Sequence, residues 1–461
     1  MSDIDFEAFE QKMLAENLPR TAIDTFAHYF RLVKRGETGR IFSTQIEPVE
    51  PATDLMSLSA HREAGERALS RLVVVKLNGG LGTSMGMTRA KSLLPVKNNL
   101  SFLDIAVRQV LHMRADSGTD FPLVFMNSFH TRDDTLKALS IYPELAFEGI
   151  GLDFVQHKVP RIRVDTLGPI EWPDNRELEW CPPGHGNLYA ALSTSGMLDK
   201  LLQAGFEYAF LSNSDNLGAV ADTSILGWMV SQQIPFAMEV TARTADDKKG
   251  GHLAQLSSGA FVLRELAQCA PGDLDDFQNI EKYGYFNTNN LWLNLKSLAR
   301  YLSSSRNVFP LPMIRNEKNV VASDESSPRV YQTETAMGAA ISLFDGARLL
   351  AVPRDRFVPV KTTDDLLKLW SDLYTLTETY HLQTAASGVA KIEVDLDPRF
   401  YRSIDDFVAR FPDGAPSLLD AQSIKVEGDV KFEGGVVITG DALIENRTST
   451  QRIVERGSCV S

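Results

Sequence analysis

From Arg71 onward, short apolar runs alternate with helix-like patterns, and this alternation restricts the possible folds more than any other feature. Each run has the length of a buried strand, and the runs lie at residues 72–75, 123–126, 208–211 and 236–240. Helical patterns lie between them, at residues 102–113, 131–139 and 188–204. Such alternation predicts an α/β fold around a doubly wound, mixed and mostly parallel sheet.

The two ends of the chain differ in pattern from this central part, which we place at residues 71–375. In residues 1–70, apolar side chains recur at helical spacing, which predicts a helical N-terminal region. Residues 376–461 carry short period-two runs broken by Gly-Asp turns, which predict a small β-rich domain with a β-helix-like tail. The length of 461 residues agrees with about three domains of about 150 residues.

Composition disfavours several classes of protein. With 47 Lys and Arg against 60 Asp and Glu, the net charge is −13, so we expect no nucleic-acid partner. No apolar run reaches the roughly 18 residues of a membrane span, so we expect no membrane partner. The N-terminus does not resemble a signal peptide, and the three cysteines lack CxxC spacing. These features predict a cytoplasmic protein without a zinc cluster or a disulfide framework.

Polar motifs follow three of the predicted strands directly. They lie at residues 77–80, 127–128 and 212–216. In a doubly wound sheet, ligands bind where the carboxyl ends of parallel strands lead into loops. The sequence therefore predicts one ligand site formed by these three segments.

The first of these segments opens a glycine-rich loop with four glycines within eight residues, at positions 79, 80, 82 and 86. Glycines allow sharp turns and let a ligand approach backbone amides, which bind anions. The dinucleotide pattern GxGxxG fails at Met85, and the P-loop pattern fails at Met85 and Ala90. A dinucleotide-binding domain and a P-loop ATPase both lose support, whereas a purely structural turn stays open as an alternative.

Residues 77–91 resemble the nucleotide-binding loop of the sugar-1-phosphate nucleotidyltransferases, in the version found in the eukaryotic-type UDP-glucose pyrophosphorylase family. Further segments similar to motifs of that family follow in order: CPPGHG at 181–186, SNSDNLG at 212–218, KGG at 249–251, FNTNNLW at 286–292, QTETA at 332–336 and PVKTT at 359–363. The resemblance is dense over residues 70 to 375 and loose in the tail. It implies a Rossmann-like nucleotidyltransferase central domain.

The resemblance also implies a reaction, in which UTP and glucose 1-phosphate give UDP-glucose and pyrophosphate with Mg²⁺ as cofactor. The attacking phosphate oxygen is already anionic, so the reaction needs cations and positioning more than a strong base. A UDP-N-acetylhexosamine or broad-specificity UDP-sugar pyrophosphorylase is the first alternative, and a non-catalytic sugar-nucleotide-binding protein is the second. The oligomeric state stays open between a monomer and a weak homo-oligomer.

Lys91 and Lys361 are the catalytic cations that the resemblance implies, and Asp215 is the implied Mg²⁺ ligand, with no evident second protein ligand. From the residues alone, both lysines could be solvated surface groups and Asp215 could form a turn. Thr363 is expected to cap the helix that follows Lys361. Many family members carry Gly-Pro before the first lysine, whereas Arg89 and Ala90 stand here, and Arg89 is a possible added contact.

The remaining candidates bind the nucleotide or the sugar phosphate. His185 is expected to contact the sugar phosphate or hydroxyls without acting as an essential base, although a lone histidine is more often bonded to the backbone. The implied nucleotide-binding residues are Leu77, Asn78, Gly79, Gly80, Gln156 and Gly184. The implied substrate-binding residues are His185, Asn213, Ser214, Asp215, Gly251, Asn287, Asn289, Asn290 and Glu334.

Overall fold

The computed structural model describes residues 4–50, 52–305, 308–385 and 392–461. In chain order its α-helices are α1 (Ile4–Ala15), α2 (Arg20–Lys34), α3 (Arg62–Ala68), α4 (Phe102–Ser117), α5 (Arg132–Leu139), α6 (Leu188–Thr194), α7 (Met197–Gln203), α8 (Thr223–Gln232), α9 (Leu274–Phe277), α10 (Leu295–Ser304), α11 (Thr363–Trp370), α12 (Pro398–Tyr401) and α13 (Ile404–Arg410). None of the helices in the described ranges is long and apolar enough to cross a membrane.

The strands form one large sheet and several small ones. In chain order they are β1 (Ile46–Pro48), β2 (Thr53–Asp54), β3 (Leu72–Asn78), β4 (Pro95–Lys97), β5 (Leu100–Ser101), β6 (Leu123–Asn127), β7 (Asp153–Val155), β8 (Val159–Pro160), β9 (Ile162–Arg163), β10 (Trp180–Cys181), β11 (Tyr208–Asn213), β12 (Phe236–Ala242), β13 (His252–Leu256), β14 (Phe261–Arg264), β15 (Tyr285–Asn294), β16 (Met313–Asn319), β17 (Arg329–Thr335), β18 (Arg348–Ala351), β19 (Tyr374–Leu376), β20 (Leu382–Thr384), β21 (Glu393–Leu396), β22 (Ser417–Glu427), β23 (Val430–Phe432), β24 (Val437–Glu445), β25 (Arg452–Val454) and β26 (Cys459–Val460).

The large sheet has the order β2-β18-β12-β15-β11-β3-β6-β7, with β13 joining β15 and carrying β1 and β14. The strand pairs from β11 through β7 are parallel, as are β12 with β18 and β18 with β2. Strand β15 runs antiparallel to both of its neighbours, β11 and β12. The predicted α/β fold with a mixed, mostly parallel sheet is confirmed.

Strand β3 shows why the apolar runs of this chain become central strands. All seven of its residues are buried. Val73 and Val75 belong to the hydrophobic cluster on one face of the sheet, and Leu72 and Val74 to the cluster on the other face. A strand covered on both faces needs apolar side chains at every position, which a short continuous run supplies.

Two sequence expectations differ from the structure in detail. The helical pattern at 188–204 forms two helices, α6 and α7, because Gly196 lies between them with a φ of +73°. Strand β15 was not predicted, although it has ten residues and buries Leu291, Trp292 and Leu293 completely. The polar run at residues 287–290 interrupts the apolar pattern, so the sequence alone does not indicate this strand.

The C-terminal strands pair in parallel, in the orders β21-β22-β24-β26 and β23-β25. Parallel stacking of successive short strands agrees with the β-rich, β-helix-like tail that the sequence predicts. One hydrophobic cluster joins Val360 and Leu366 to Tyr401, Phe432 and other tail residues. The domain boundaries at 70 and 375 stay predictions, and this shared core crosses the second of them.

Candidate active site

The three polar motifs meet because β11, β3 and β6 are adjacent and parallel. Their registers place Asn213 beside Leu77 and Asn78 beside Asn127. The Nδ2 of Asn78 donates to Asn127 Oδ1 (2.9 Å), and Ser214 Oγ donates to Asn78 Oδ1 (3.1 Å). Both polar atoms of the buried Asn78 side chain therefore bond within the protein, and Asn78 fixes the strand ends relative to one another.

The glycine-rich loop folds back onto its own beginning. Gly82 and Gly86 have φ values of +63° and +71°, which only glycine adopts freely. The backbone N–H of Lys91 donates to the carbonyl of Gly80 (3.0 Å). A Cβ atom on Gly79 would lie 2.7 Å from Nε2 of Gln156, so these two predicted nucleotide-binding residues are in contact. The loop therefore brings its closing lysine and Gln156 to the same edge of the sheet.

Lys91 and Asp215 form an ion pair at this edge. Lys91 Nζ lies 2.5 Å from Asp215 Oδ2, and the two side chains are 16% and 22% exposed. The same ammonium also donates to the carbonyl of Val360, which precedes Lys361. Asn216 and Pro359 form a β-bridge beside this contact. The structure thus brings Lys91 and Asp215 together with the backbone segment that leads to Lys361.

Lys361 itself has an exposed side chain at the start of α11. Its backbone N–H donates to Asp365 Oδ2 (2.7 Å). Helix α11 is capped by Thr362, which forms a capping box with Asp365, so the expected cap at Thr363 is wrong by one residue. The cap fixes the backbone of Lys361 and leaves its ammonium group to face solvent or a ligand.

The described residues contain no cluster of three or more His, Cys, Asp or Glu side chains that could hold a metal ion. Asp215 therefore belongs to no such cluster, and one of its oxygens already contacts Lys91. Mg²⁺ is commonly bound by one or two carboxylates together with substrate phosphates and water. The donor set fits Mg²⁺ that arrives with a nucleotide, and it does not fit a metal held by the protein alone.

His185 lies on a loop that packs against the end of β17. A Cβ on Gly184, whose φ is +79°, would lie 2.4 Å from the carbonyl oxygen of Thr335, so this loop touches the strand that carries Glu334. His185 Nδ1 accepts a hydrogen bond from the backbone N–H of Met337 (3.0 Å). Burial lowers the pKa of His185 to about 4. The ring is therefore neutral near pH 7, and its Nε2–H is available as a donor.

The asparagines of β15 divide into two groups. The backbone N–H of Asn287 donates to the carbonyl of Gly251 (3.2 Å), and its Nδ2 donates to Asn289 Oδ1 (2.9 Å). Asn289 has a φ of +57° and is partly exposed. Asn290 is completely buried, and its Nδ2 donates to Glu239 (3.0 Å) and to a backbone carbonyl. Asn290 therefore does not face the site as predicted, and its side chain belongs to the protein interior.

Glu265 is a further polar residue beside the candidate site, and the sequence does not single it out. A Cβ on Gly251 would lie 2.6 Å from its Oε2, so the carboxyl group lies directly against the Lys249-Gly250-Gly251 segment. Burial raises the pKa of Glu265, while the charge of Lys361 lowers it. Glu265 belongs to no motif and follows the unremarkable strand β14, so no local pattern could have identified it.

The chain is similar to proteins of known family over nearly its whole length. The family model for UTP–glucose-1-phosphate uridylyltransferase matches residues 23–439. The UTP–glucose-1-phosphate uridylyltransferase of Solanum tuberosum is 40% identical over 90% of this chain and 85% of its own length, and that of Hordeum vulgare is 39% identical over 92% and 87%. The UDP-glucose pyrophosphorylase of Leishmania major, solved in open and closed forms, superposes with a TM-score of 0.93 at 40% identity, covering 100% of this chain and 98% of its own. Together, these similarities show that the chain belongs to the UTP–glucose-1-phosphate uridylyltransferase family.

Proposed function

We propose that this protein transfers the uridylyl group of UTP to glucose 1-phosphate, giving UDP-glucose and pyrophosphate. The observation that supports this most directly is the meeting of Lys91, Asp215 and the segment leading to Lys361 at the ends of three parallel strands. Two ammonium groups beside an anion-binding glycine loop suit a reaction that joins two polyanions. A variant of the Leishmania major relative has been solved with UDP-glucose bound.

In the proposed reaction, an oxygen of the sugar phosphate attacks the α-phosphorus of UTP. The new O–P bond forms as the bond from the α-phosphorus to the bridging oxygen breaks, and pyrophosphate leaves with the electron pair. Lys91 and Lys361 stabilise the charge on the phosphate groups, because preorganised cations bind that charge without further reorganisation. His185 donates Nε2–H to the sugar phosphate or to a sugar hydroxyl, and a base is not required.

We assign the base of the nucleotide to one side of this centre and the sugar to the other. The amide of Gln156 can offer both a donor and an acceptor to the imide edge of uracil, next to the backbone of Gly79 and Gly80. On the other side, the carboxyl of Glu265 and the side chain of Asn289 can accept and donate hydrogen bonds to sugar hydroxyls. Asn213 and Glu334 lie on the strand ends that border this space.

We further propose that Mg²⁺ takes part, bound by Asp215 and the phosphates of the nucleotide. When bound, the ion supplies positive charge to the nucleotide phosphates and helps to hold them in place. Asp215 can serve it because this carboxylate keeps partial exposure beside Lys91. Removal of the metal by a chelator is expected to abolish turnover, and added Mg²⁺ is expected to restore it.

A direct assay tests the activity. The purified protein is expected to release pyrophosphate only when UTP and glucose 1-phosphate are both present with Mg²⁺. A panel of galactose, N-acetylglucosamine and glucose 1-phosphates then separates a glucose enzyme from a broad-specificity one through kcat/KM. Tight binding of UDP-glucose without any turnover would contradict the proposal and favour a sugar-nucleotide-binding protein.

Lys361→Ala is expected to lower kcat by about 100- to 1,000-fold, the range found when one preorganised group that stabilises transition-state charge is removed. Lys368→Ala, on the same helix, is the matched control and is expected to keep normal turnover. Thermal unfolding of both variants checks that the fold is retained. A fully active Lys361→Ala variant would remove the role that we assign to this residue.

A further inference from the structure

A buried ion pair is hydrogen-bonded to segments that form the candidate active site. Glu239 of β12 is 0% exposed, and its carboxylate accepts two hydrogen bonds from Arg356, from Nε at 2.8 Å and from Nη2 at 2.6 Å. The indole N–H of Trp292 donates to the same carboxylate (2.9 Å). Each oxygen of Glu239 therefore has partners, as a buried carboxylate requires.

Two buried asparagines extend this ion pair towards the site. Asn216 is 2% exposed, and its Nδ2 donates to Asn290 Oδ1 and to the carbonyl of Arg356, both at 3.1 Å. Asn216 Oδ1 accepts from the backbone N–H of Val358 (2.9 Å). Asn290 in turn donates to Glu239 (3.0 Å). The four side chains of Asn216, Glu239, Asn290 and Arg356 form one connected set, which we call the buried bridge.

The buried bridge connects the two segments that carry Asp215 and Lys361. Asn216 immediately follows Asp215, and Val358 lies three residues before Lys361. The hydrogen bonds of Asn216 therefore tie the turn that carries Asp215 to the segment that carries Lys361. Arg356 adds a second tie, because its Nη2 also donates to the carbonyl of Val220, beyond the same turn (2.8 Å).

We propose that the buried bridge positions Lys361 relative to Asp215, so that Asn216 and Arg356 are positioning residues for the reaction. This proposal rests on the proposed function, because the bridge can matter for turnover only if Lys361 takes part in the reaction. None of the four side chains is more than 12% exposed, so they act through the backbone and not by contact with substrate. A buried ion pair adds little to stability compared with apolar residues of the same size. We therefore attribute the presence of this ion pair to its geometry, in which two hydrogen bonds from the planar guanidinium of Arg356 hold the carboxylate of Glu239 in one orientation.

Arg356→Lys tests the proposal, because it keeps the charge and removes the fork. It is expected to lower kcat by about 10- to 100-fold, the effect of a displacement of about 1 Å, while KM for both substrates changes by less than about threefold. Asn216→Ala removes the other tie and is expected to act in the same direction. Arg410→Lys is the matched control, since Arg410 is 11% exposed and pairs with Asp429 at 2.9 Å in the C-terminal part. It is expected to keep full kcat.

The second readout is a double-mutant cycle with Lys361→Ala. If the bridge acts by positioning Lys361, Arg356→Lys and Asn216→Ala are expected to lower kcat little further once Lys361 is absent. An equal fold-loss of kcat with and without Lys361 would overturn the proposal, and so would full kcat in either folded bridge variant. Failure of the proposed function has a different signature, because the unmodified protein would then release no pyrophosphate from UTP and glucose 1-phosphate.

Discussion

Gly79 and Gly251 each lie against one of the polar side chains that we assign to the base and to the sugar. Neither has a positive φ, so the backbone at both would accept alanine. A Cβ atom would clash at both positions, because the amide of Gln156 lies against Gly79 and the carboxyl of Glu265 lies against Gly251. At both positions the absent side chain leaves room for a polar group that we assign to substrate recognition.

Gly79→Ala and Gly251→Ala are therefore expected to raise the KM of different substrates. The first pushes Gln156 aside and is expected to raise KM for UTP by about tenfold, the loss of about one well-placed hydrogen bond. The second displaces Glu265 and is expected to raise KM for glucose 1-phosphate by a similar factor. Steady-state kinetics with each substrate varied in turn measures both effects, and each variant is the control for the other. The assignment of the two ends fails if both variants raise the same KM.

Single residues differ in how far the sequence could identify them. Lys91, Asp215 and Lys361 lie in distinctive motifs, and the structure brings their segments together. Asn290 lies in an equally distinctive motif, yet its side chain is buried and donates to the buried carboxylate of Glu239. Glu265 has no motif and reaches the site only through the packing of its strand.

At the scale of elements, helix α11 is joined to the site by its first turn. Thr362 and Asp365 form its capping box, and Asp365 Oδ2 also accepts from the backbone N–H of Lys361. The capping box that begins the helix therefore also fixes the backbone of Lys361. The sequence predicts a cap at Thr363 instead, because Thr362 and Thr363 offer the same hydroxyl group and only the backbone dihedral angles distinguish them.

Thr362→Ala is expected to destabilise the protein by about 1 kcal/mol, as loss of an N-cap usually does. It is also expected to lower turnover, because it loosens the backbone beside Lys361. Ser101→Ala is the control, since Ser101 forms a capping box with Asp104 at the start of α4. Chemical denaturation is expected to show similar losses of stability for both variants. Normal turnover in Thr362→Ala would show that the cap has no part in placing Lys361.

At the scale of the whole molecule, the C-terminal part supports the glycine-rich loop. Met85 of this loop belongs to the same hydrophobic cluster as Tyr401, Phe407 and Phe432 of the tail. A Cβ on Gly86 would lie 3.3 Å from Cβ of Ser403, so the loop and the tail are in contact. Because of this contact, the shape of the glycine-rich loop near residue 80 depends on residues more than 300 positions later in the chain.

Buried histidines give the molecule a dependence of stability on pH. Burial lowers the pKa of His252, which stacks on Tyr283 with ring centroids 4.1 Å apart, from 6.5 to about 3. Between these values the unfolded chain binds a proton that the folded protein does not. Protonation therefore favours the unfolded state, and the free energy of unfolding is expected to fall as pH decreases below 6.5.

His252→Phe is expected to remove this contribution while keeping an aromatic ring against Tyr283. Relative to the original protein, the variant is expected to gain about 2 kcal/mol of stability between pH 7 and pH 5, since one pKa unit corresponds to about 1.4 kcal/mol. Denaturant unfolding at the two pH values measures the difference. His130→Phe, at an exposed ring, controls for the substitution itself. A constant difference between His252→Phe and the original protein at all pH values would contradict the assignment.

The sequence by itself determined the fold class, the order of the motifs and the edge of the sheet at which they meet. These properties depend on local patterns, because strand length, helical spacing and loop glycines are encoded in neighbouring residues. Tertiary structure alone decided which polar side chains face the site. The carboxyl of Glu265 lies against Gly251 beside the candidate site, whereas the side chain of Asn290 is buried in the interior. Asn216 joins two segments that are far apart in the chain through its hydrogen bond to Val358. Those outcomes depend on contacts between residues far apart in the chain, for which no local pattern exists.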